Sequence, residues 1–346
     1  MHPQVSFAPG PGGRTIAYTA FGDGTPLVMP ATWPWSHFSR EWEITPMRAW
    51  LEKLAAHCRI VRYDAGGTGL SSRDSFDFSL DGQAAEMEAV IDHLGLASVA
   101  LWGGISGGPI ALAFAGTRPH RVSHVLLWTS YISAADLGWV DAAAVGAMRT
   151  QNWKLFTETF AHAAFQWSNA DLASEYAALT RDAMSQEVAI EGWRAIAAHD
   201  ATPYLAGIRC PTLVMTRRDE RLFTVDLARR MCEAIPRARL LVLPGSETGP
   251  YMGDSDAVVR AAREFLEQPP AEPAPAAPMK LSPREAEVLG LLAGGRTARE
   301  IAEALSISLP TAQRHISNIY AKIGARGRVE AVTYALQRGI VRPRDE

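Results

Sequence analysis

The chain has no run of about 20 consecutive apolar residues, the length a helix needs to cross a bilayer. Its first residues, MHPQVSFAPG, lack the basic-then-apolar pattern of a secretory signal. A membrane-spanning role is therefore excluded and a cytoplasmic location expected. Cysteine is scarce: Cys58, Cys210 and Cys232 are the only 3 in 346 residues, an odd number without ligand-like spacing. That excludes a disulfide framework and a zinc module, and it fits buried free thiols in a reducing compartment. No metal ion or cofactor is expected. Charge of one sign is also missing overall, since the net is only −3. The near-balance hides an asymmetry. Residues 279–346 hold 11 Lys and Arg against 7 Asp and Glu, net +4, whereas residues 1–278 hold 23 against 30, net −7. A basic segment on an acidic body points to nucleic acid as the partner of the small part alone. Tryptophan is absent from that basic segment, all 10 lying within residues 1–267.

The basic segment carries three helical periods, LSPREAEVLGLLAGG, TAREIAEALSIS and LPTAQRHISNIYAKIG, with a fourth helix in RGRVEAVTYALQRG. Apolar residues recur at helical spacing: Val288, Leu291 and Leu292, then Ile301, Ala304 and Leu305, then Ile316, Ile319, Tyr320 and Ile323. Ser282-Pro283 with Glu285 reads as the cap and acidic first turn of the first helix, and Gly294-Gly295 as its end. The short break at Ser306-Ile307-Ser308 suits a helix-turn-helix, in which one helix enters the major groove.

These residues closely resemble the DNA-binding domain of LuxR-type regulators, whose pattern L-[ST]-x-R-E-x-E-V-L, E-I-A-x-x-L and T-x-x-x-H-x-x-N-I-x-x-K-[IL]-G runs through this segment. The resemblance implies a recognition helix from about Leu309 to Ile323, with Thr311, Gln313, Arg314, His315, Asn318 and Lys322 facing DNA. Thr311 and Lys322 would contact phosphates, and Gln313 and Arg314 base edges. The sequence departs from the family at Ala312-Gln313, where Val-Lys is usual, so one contact there is expected to differ. The implied partner is DNA with a pseudo-palindromic operator, bound by a homodimer.

Residues 1–267 alternate strand-like and helix-like segments, the mark of an open α/β sheet covered on both faces. Strands are expected at Thr15–Ala20, Leu27–Met29, Arg59–Tyr63, Val99–Trp102, Val122–Trp128, Thr212–Thr216 and Arg239–Leu243. Helices are expected at Thr45–Ala56, Leu80–Leu94, Gly107–Thr117, Val225–Ile235 and Asp256–Glu267. Between Ser133 and Ala201 the pattern turns continuously helical, which predicts an inserted cap. QPPAEPAPAAP, residues 268–278, reads as a semi-rigid Pro/Ala linker to the domain at 279–346.

Strand Val99–Trp102 leads into Gly104-Ile105-Ser106-Gly107-Gly108 and then a helix, the context a nucleophile elbow requires. With RYDAGGTGLS (Arg62–Ser71), CPTLVMTRRDE and RARLLVLPGSETGPY, residues 15–267 resemble the α/β-hydrolases. The resemblance places Glu220, or Asp219 beside it, at the family's acid position. In the segment L-P-G-x-x-H-x-P-[WYF], Leu243, Pro244, Gly245, Pro250 and Tyr251 hold the register, and Thr248 stands where the family has histidine. Threonine cannot accept a proton from serine near neutral pH, and no histidine occurs between His199 and His315. The oxyanion loop departs too, with Ala31-Thr32 in place of His-Gly, followed by Trp33-Pro34-Trp35. Hydrolysis is therefore expected to be lost, leaving Ser106, Glu220 or Asp219, and Thr248 as relics. Ser106 flanked by glycines is also what the strand-turn-helix bend itself demands.

A silent elbow still offers a pocket. Ligand contacts are expected from Ala31, Thr32, Trp33, Trp35, Ile105, Ser106, Gly107 and Thr248, for a small apolar or aromatic molecule. Trp102 falls near the same mouth. Trp139, Trp153, Trp167 and Trp193 belong to the cap, where ordinary packing is an equal explanation. His37 reads as a loop residue, and His93, His120 and His124 as structural. The expectation is thus an α/β-hydrolase-like sheet with a helical cap, followed by a small four-helix helix-turn-helix domain, acting as a ligand-responsive regulator. Two rivals remain: a serine hydrolase that turns over its own signal, and a constitutive DNA binder whose large domain only dimerises or recruits.

Overall fold

The computed structural model describes residues 4–137, 148–269, 281, 283–305, 307–323, 325, 327–337 and 340. Two compact units divide the chain, Met1–Glu272 and Pro273–Glu346. The expected linker, Ser282 and Trp139 fall wholly or mostly outside the described residues.

The first unit is built on one eight-stranded sheet in the order β1-β2-β4-β3-β5-β6-β7-β8. The strands are β1 (Ser6–Pro9), β2 (Thr15–Phe21), β3 (Pro26–Met29), β4 (Arg59–Tyr63), β5 (Val99–Gly104), β6 (Val122–Trp128), β7 (Thr212–Arg217) and β8 (Ala238–Leu243). From β4 to β8 every neighbouring pair is parallel, while β1 and β2 are antiparallel additions at one edge. Parallel strands are covered on both faces, which is why β7 is buried at every position and reads as a nearly continuous apolar run. Helices α1 (Phe38–Glu43), α2 (Thr45–Ala55), α3 (Leu80–His93), α4 (Gly107–Thr117), α8 (Val225–Ala234) and α9 (Ser255–Leu266) supply the cover. Several begin on a side-chain cap: Ser79 accepts from Gly82 N–H, Thr224 from Leu227 N–H and Asp254 from Ala257 N–H.

All seven expected strands are present. One strand and one α-helix were not anticipated. β1 is four residues long and ends on proline, too short to show a period, and α1, of six residues, follows the Trp33-Pro34-Trp35 loop. The cap contains α5 (Trp153–Ala164), α6 (Ala170–Ala183) and α7 (Gln186–Ala197), capped by Asn152, Asn169 and Ser185. Its two ends are pinned side by side at the sheet: Ser133 bridges Asp200, Ala134 N–H donates to the His199 carbonyl at 2.8 Å, and Ala201 N–H to Ile132 at 2.9 Å.

The second unit holds α10 (Pro283–Ala293), α11 (Ala298–Ala304), α12 (Leu309–Ile323) and α13 (Arg328–Gln337). Gly295, at φ 97, ends α10 in the left-handed conformation that glycine adopts without strain. Thr297 and Glu300 form a reciprocal capping box on α11. The core comprises Val288, Leu289, Leu292, Ile301, Ala302, Ala312, Ile319, Ala331 and Ala335. Expected inward positions differ in depth. Ala304, at the end of α11, is exposed while Ala302 is buried, and Leu291, Leu305, Ile316, Tyr320 and Ile323 flank the core that Leu289 enters. A helix of seven residues completes under two turns, so its last residue need not follow the inward stripe.

Candidate functional site

β5 turns sharply into α4 through Gly104-Ile105-Ser106. Ile105 takes φ 48, a costly conformation for a β-branched residue. Its neighbours hold it there. Ile105 N–H donates to the Trp128 carbonyl at 3.1 Å, and the Ile105 carbonyl accepts from Ser130 Oγ at 2.7 Å and Gly108 N–H at 3.2 Å. A Cβ on Gly108 would lie 1.7 Å from Ser130 Oγ, and one on Gly103 2.7 Å from the Gly108 Cα. Packing alone thus requires these two glycines. Ser106 is 4% exposed, and its hydroxyl is tied to the loop after β3: it accepts from Trp33 N–H at 2.8 Å and donates weakly to the Trp33 carbonyl at 3.3 Å.

The acid and threonine positions meet. Thr248 Oγ1 donates to Glu220 Oε1 at 2.9 Å, while Asp219 faces solvent. Glu220 Oε2 accepts from Phe223 N–H, and Gln166 Nε2 reaches Glu220 Oε1 at 3.3 Å and the Ser246 carbonyl at 2.7 Å. Burial raises the Glu220 carboxyl above its ordinary range, opposed by the bonds from Phe223 and Thr248. Gln166 comes from the cap, in a left-handed pair with Trp167 (φ 52 and 59). Donors from the cap, the backbone and Thr248 therefore occupy the carboxylate, and a hydroxyl replaces the imidazole it would orient in a working triad.

Between cap and sheet the cavity has connected walls. A lobe beside Ser106, ≈ 40 Å³, is lined by Trp33, Trp35, Ile105, Tyr131, Trp193 and Thr248 among others. A larger lobe, ≈ 80 Å³, shares Trp35, Ile105, Ala164 and Thr248 with it and adds Thr32, Glu41, Trp50, Arg62, Trp102, Tyr176 and Tyr251. A recess next to Ser106 and Trp33 also touches Ala31 and His199. Of the expected ligand residues, Ala31, Thr32, Trp33, Trp35, Ile105, Ser106 and Thr248 line these spaces. Gly107 does not; a Cβ there would meet Pro30 at 3.4 Å, so the first turn of α4 packs on the β3 loop instead. The volumes admit only a small molecule in this conformation.

Of the cap tryptophans, Trp193 reaches the cavity, Trp153 stacks on Phe156, and Trp167 is 68% exposed. Sequence reasoning did not single out Glu41, Arg62, Trp50, Tyr176 or Gln166, nor the position of His199. The His199 Nε2 lies 2.8 Å from the Phe78 carbonyl, so it carries the hydrogen and Nδ1 is left as a buried acceptor without a partner. Burial lowers its pKa, so the ring is neutral. His37 is a loop residue at the N-cap of α1 and is buried, and His124 bonds the Gln268 carbonyl at 3.1 Å.

On α12, Ser308 caps the helix by accepting from Thr311 N–H at 3.3 Å, and its hydroxyl lies 2.7 Å from Thr311 Oγ1. Gln313 is exposed and His315 half-buried. The side chains of Arg314, Asn318 and Lys322 lie outside the described residues. At the departure from the family pattern, Ala312 is fully buried, so only Gln313 is free to alter a contact.

Comparison with known proteins matches residues 35–253 to the α/β-hydrolase fold family and residues 279–335 to the bacterial regulatory proteins of the luxR family. The chain belongs to the α/β-hydrolase fold family and carries in addition a LuxR-type helix-turn-helix domain. The 2-hydroxy-6-oxo-2,4-heptadienoate hydrolase of Pseudomonas putida is 24% identical over 259 residues, covering 71% of this chain and 90% of its own. The transcriptional regulatory protein MctR of Rhizobium johnstonii is 44% identical over 61 residues, 18% of this chain and 28% of its own. An esterase from Exiguobacterium antarcticum superposes with a TM-score of 0.66 at 22% identity, covering 77% of this chain and 100% of its own, a likeness of fold alone. Among the described residues no helix is long and apolar enough to cross a membrane.

Proposed function

We propose that the protein is a cytoplasmic, ligand-responsive transcriptional regulator whose hydrolase-fold unit is a non-catalytic sensor. A small apolar or aromatic molecule binds between sheet and cap, and its preference for one arrangement biases how a homodimer presents two helix-turn-helix units to a pseudo-palindromic operator. The observation that carries this reading is Thr248 bonded to Glu220 where a triad needs histidine. Loss of one triad member leaves roughly 10³–10⁴-fold catalysis over water, from binding and the oxyanion hole alone. With p-nitrophenyl acetate in stopped flow, the full chain is expected to give no acyl-enzyme burst, and Ser106→Ala to leave its slow turnover unchanged. A stoichiometric burst lost in Ser106→Ala overturns the sensor reading.

One observation favours a second reading, a working hydrolase. His199 lines the recess that Ser106 also lines and holds a buried, unpartnered Nδ1, and the relatives named hydrolases lean the same way. That reading requires the burst to vanish in His199→Ala as well as in Ser106→Ala.

For the DNA-binding unit, Lys322→Ala is expected to weaken binding to all sequences alike and to flatten the log–log salt dependence by about one unit, as one lost phosphate contact does. Gln313→Ala should relax preference at one operator position instead, by about 1–3 kcal/mol where a base contact is lost. Anisotropy titrations against a mutated operator set at several salt concentrations separate the two. If Lys322→Ala changes sequence preference while Gln313→Ala lowers binding uniformly, the assignments are reversed.

A further inference from the structure

The larger lobe contains a pairing that the fold does not explain. Arg62, at the end of β4, forms an ion pair with Glu41 of α1, their side chains 14% and 4% exposed. Taking two charges out of water is costly, and apolar side chains of similar volume are often as stabilising at such positions. Around the pair the wall is aromatic: Trp35, Trp50, Trp102 and Phe165. The indole N–H groups of Trp35 and Trp50 are buried without an acceptor, although their residues are 8% and 3% exposed. A buried donor left unpaired is a standing penalty, relieved by whatever brings an acceptor. Tyr176 of the cap stacks on Tyr251, in the loop after β8, with ring centroids 6.2 Å apart. The residues that line the lobe therefore carry indole and guanidinium donors, one carboxylate acceptor and, with Arg62 paired to Glu41, no net charge.

We propose that this lobe is a subsite for a neutral carboxamide group on a small ligand, whose apolar remainder passes Trp35 and Thr248 into the lobe beside Ser106. The assignment rests on the sensor reading and specifies its ligand. A carboxamide oxygen accepts from the indole and guanidinium donors, while its N–H₂ donates to Glu41. A carboxylate brings a second negative charge against Glu41 with a single guanidinium to share. A hydrocarbon leaves every donor as it was.

The test is calorimetric titration of the full chain with phenylacetamide, phenylacetate and propylbenzene, three probes of similar size. Phenylacetamide is expected to bind about tenfold more tightly than either of the others, as two net hydrogen bonds provide. The double variant Glu41→Leu/Arg62→Met replaces both charges together, so that neither is left buried alone, and should bind amide and hydrocarbon equally. Trp50→Phe removes one donor without touching the pair and should weaken the amide several-fold while sparing propylbenzene, a readout available even where the double variant does not fold. Propylbenzene or phenylacetate binding as tightly as the amide overturns the subsite but leaves the sensor standing. Retention of the amide preference in the double variant or in Trp50→Phe does the same. Binding of none of the three overturns the sensor reading together with the subsite.

Discussion

Replacing Ile319 by aspartate is expected to abolish DNA binding by the full chain, by at least about 100-fold, while the larger unit melts where it did before. Ile319 is fully buried on α12, in a core made of Val288, Leu289, Leu292, Ile301 and a few alanines. A domain of this size holds roughly 3–5 kcal/mol in reserve. An unpaired carboxylate in such a core costs at least that much, or forces the helix open. Either way α12 is no longer presented as a rigid helix. Because that core and the core around the eight-stranded sheet are separate clusters, the damage should stay in the smaller unit. Anisotropy with operator DNA and differential scanning calorimetry read the two effects together. Wild-type DNA affinity in Ile319→Asp would remove α12 as the recognition helix. A collapse of the larger transition would show that the units do not fold separately.

The parts of this protein that were legible in its sequence share a local code. Parallel strands such as Thr212–Arg217 are buried on both faces, so their apolar runs stand out without knowledge of their neighbours. The four helices of the second unit carry caps, periods and family-specific polar positions within sixty or so residues. Thr248 was identifiable because Leu243, Pro244, Gly245, Pro250 and Tyr251 fixed the register around it. The sequence could not choose between Asp219 and Glu220, however. Adjacent residues in a turn differ only in which way they point, and only Glu220 turns inward to Thr248.

What stayed hidden was assembled from distant segments. Glu41 and Arg62 are ordinary charged residues in isolation; their burial follows from α1 packing over the end of β4, and α1 itself was not foreseen. Trp50 and Tyr176 come to one lobe from α2 and the cap, more than 100 positions apart. Gln166 reaches Glu220 from an inserted cap loop whose left-handed residues carry no glycine to announce the turn. The contacts of Tyr176 and Gln166 depend on the cap's placement, which no periodicity encodes.

The elbow tests whether a glycine-flanked serine signifies chemistry or architecture, and the two substitutions expected there differ in kind. Gly108→Ala sets a methyl group 1.7 Å from Ser130 Oγ and 2.7 Å from its Cβ. Rotating the hydroxyl away does not relieve the Cβ contact, and it removes the bond that Ser130 donates to the Ile105 carbonyl at 2.7 Å. Overpacking of this kind costs about 1–3 kcal/mol, and the lost Ser130 bond adds about 1 kcal/mol, the Ile105 carbonyl keeping only the Gly108 N–H at 3.2 Å. At roughly 2–4 °C per kcal/mol for a unit of this size, melting should fall by about 4–16 °C. Ser106→Ala creates no clash. It withdraws the acceptor of the buried Trp33 N–H, a loss of about 1–3 kcal/mol, and so loosens the loop that carries Trp33 and Trp35 into the cavity. A serine held for that bond is retained without any reaction, which is the outcome expected when melting and ester turnover are measured on the same preparation. If Ser106→Ala proved as stable as the wild type and yet lost an acyl burst, the serine would be there for chemistry after all. If Gly108→Ala melted unchanged, packing would not be what keeps the glycine.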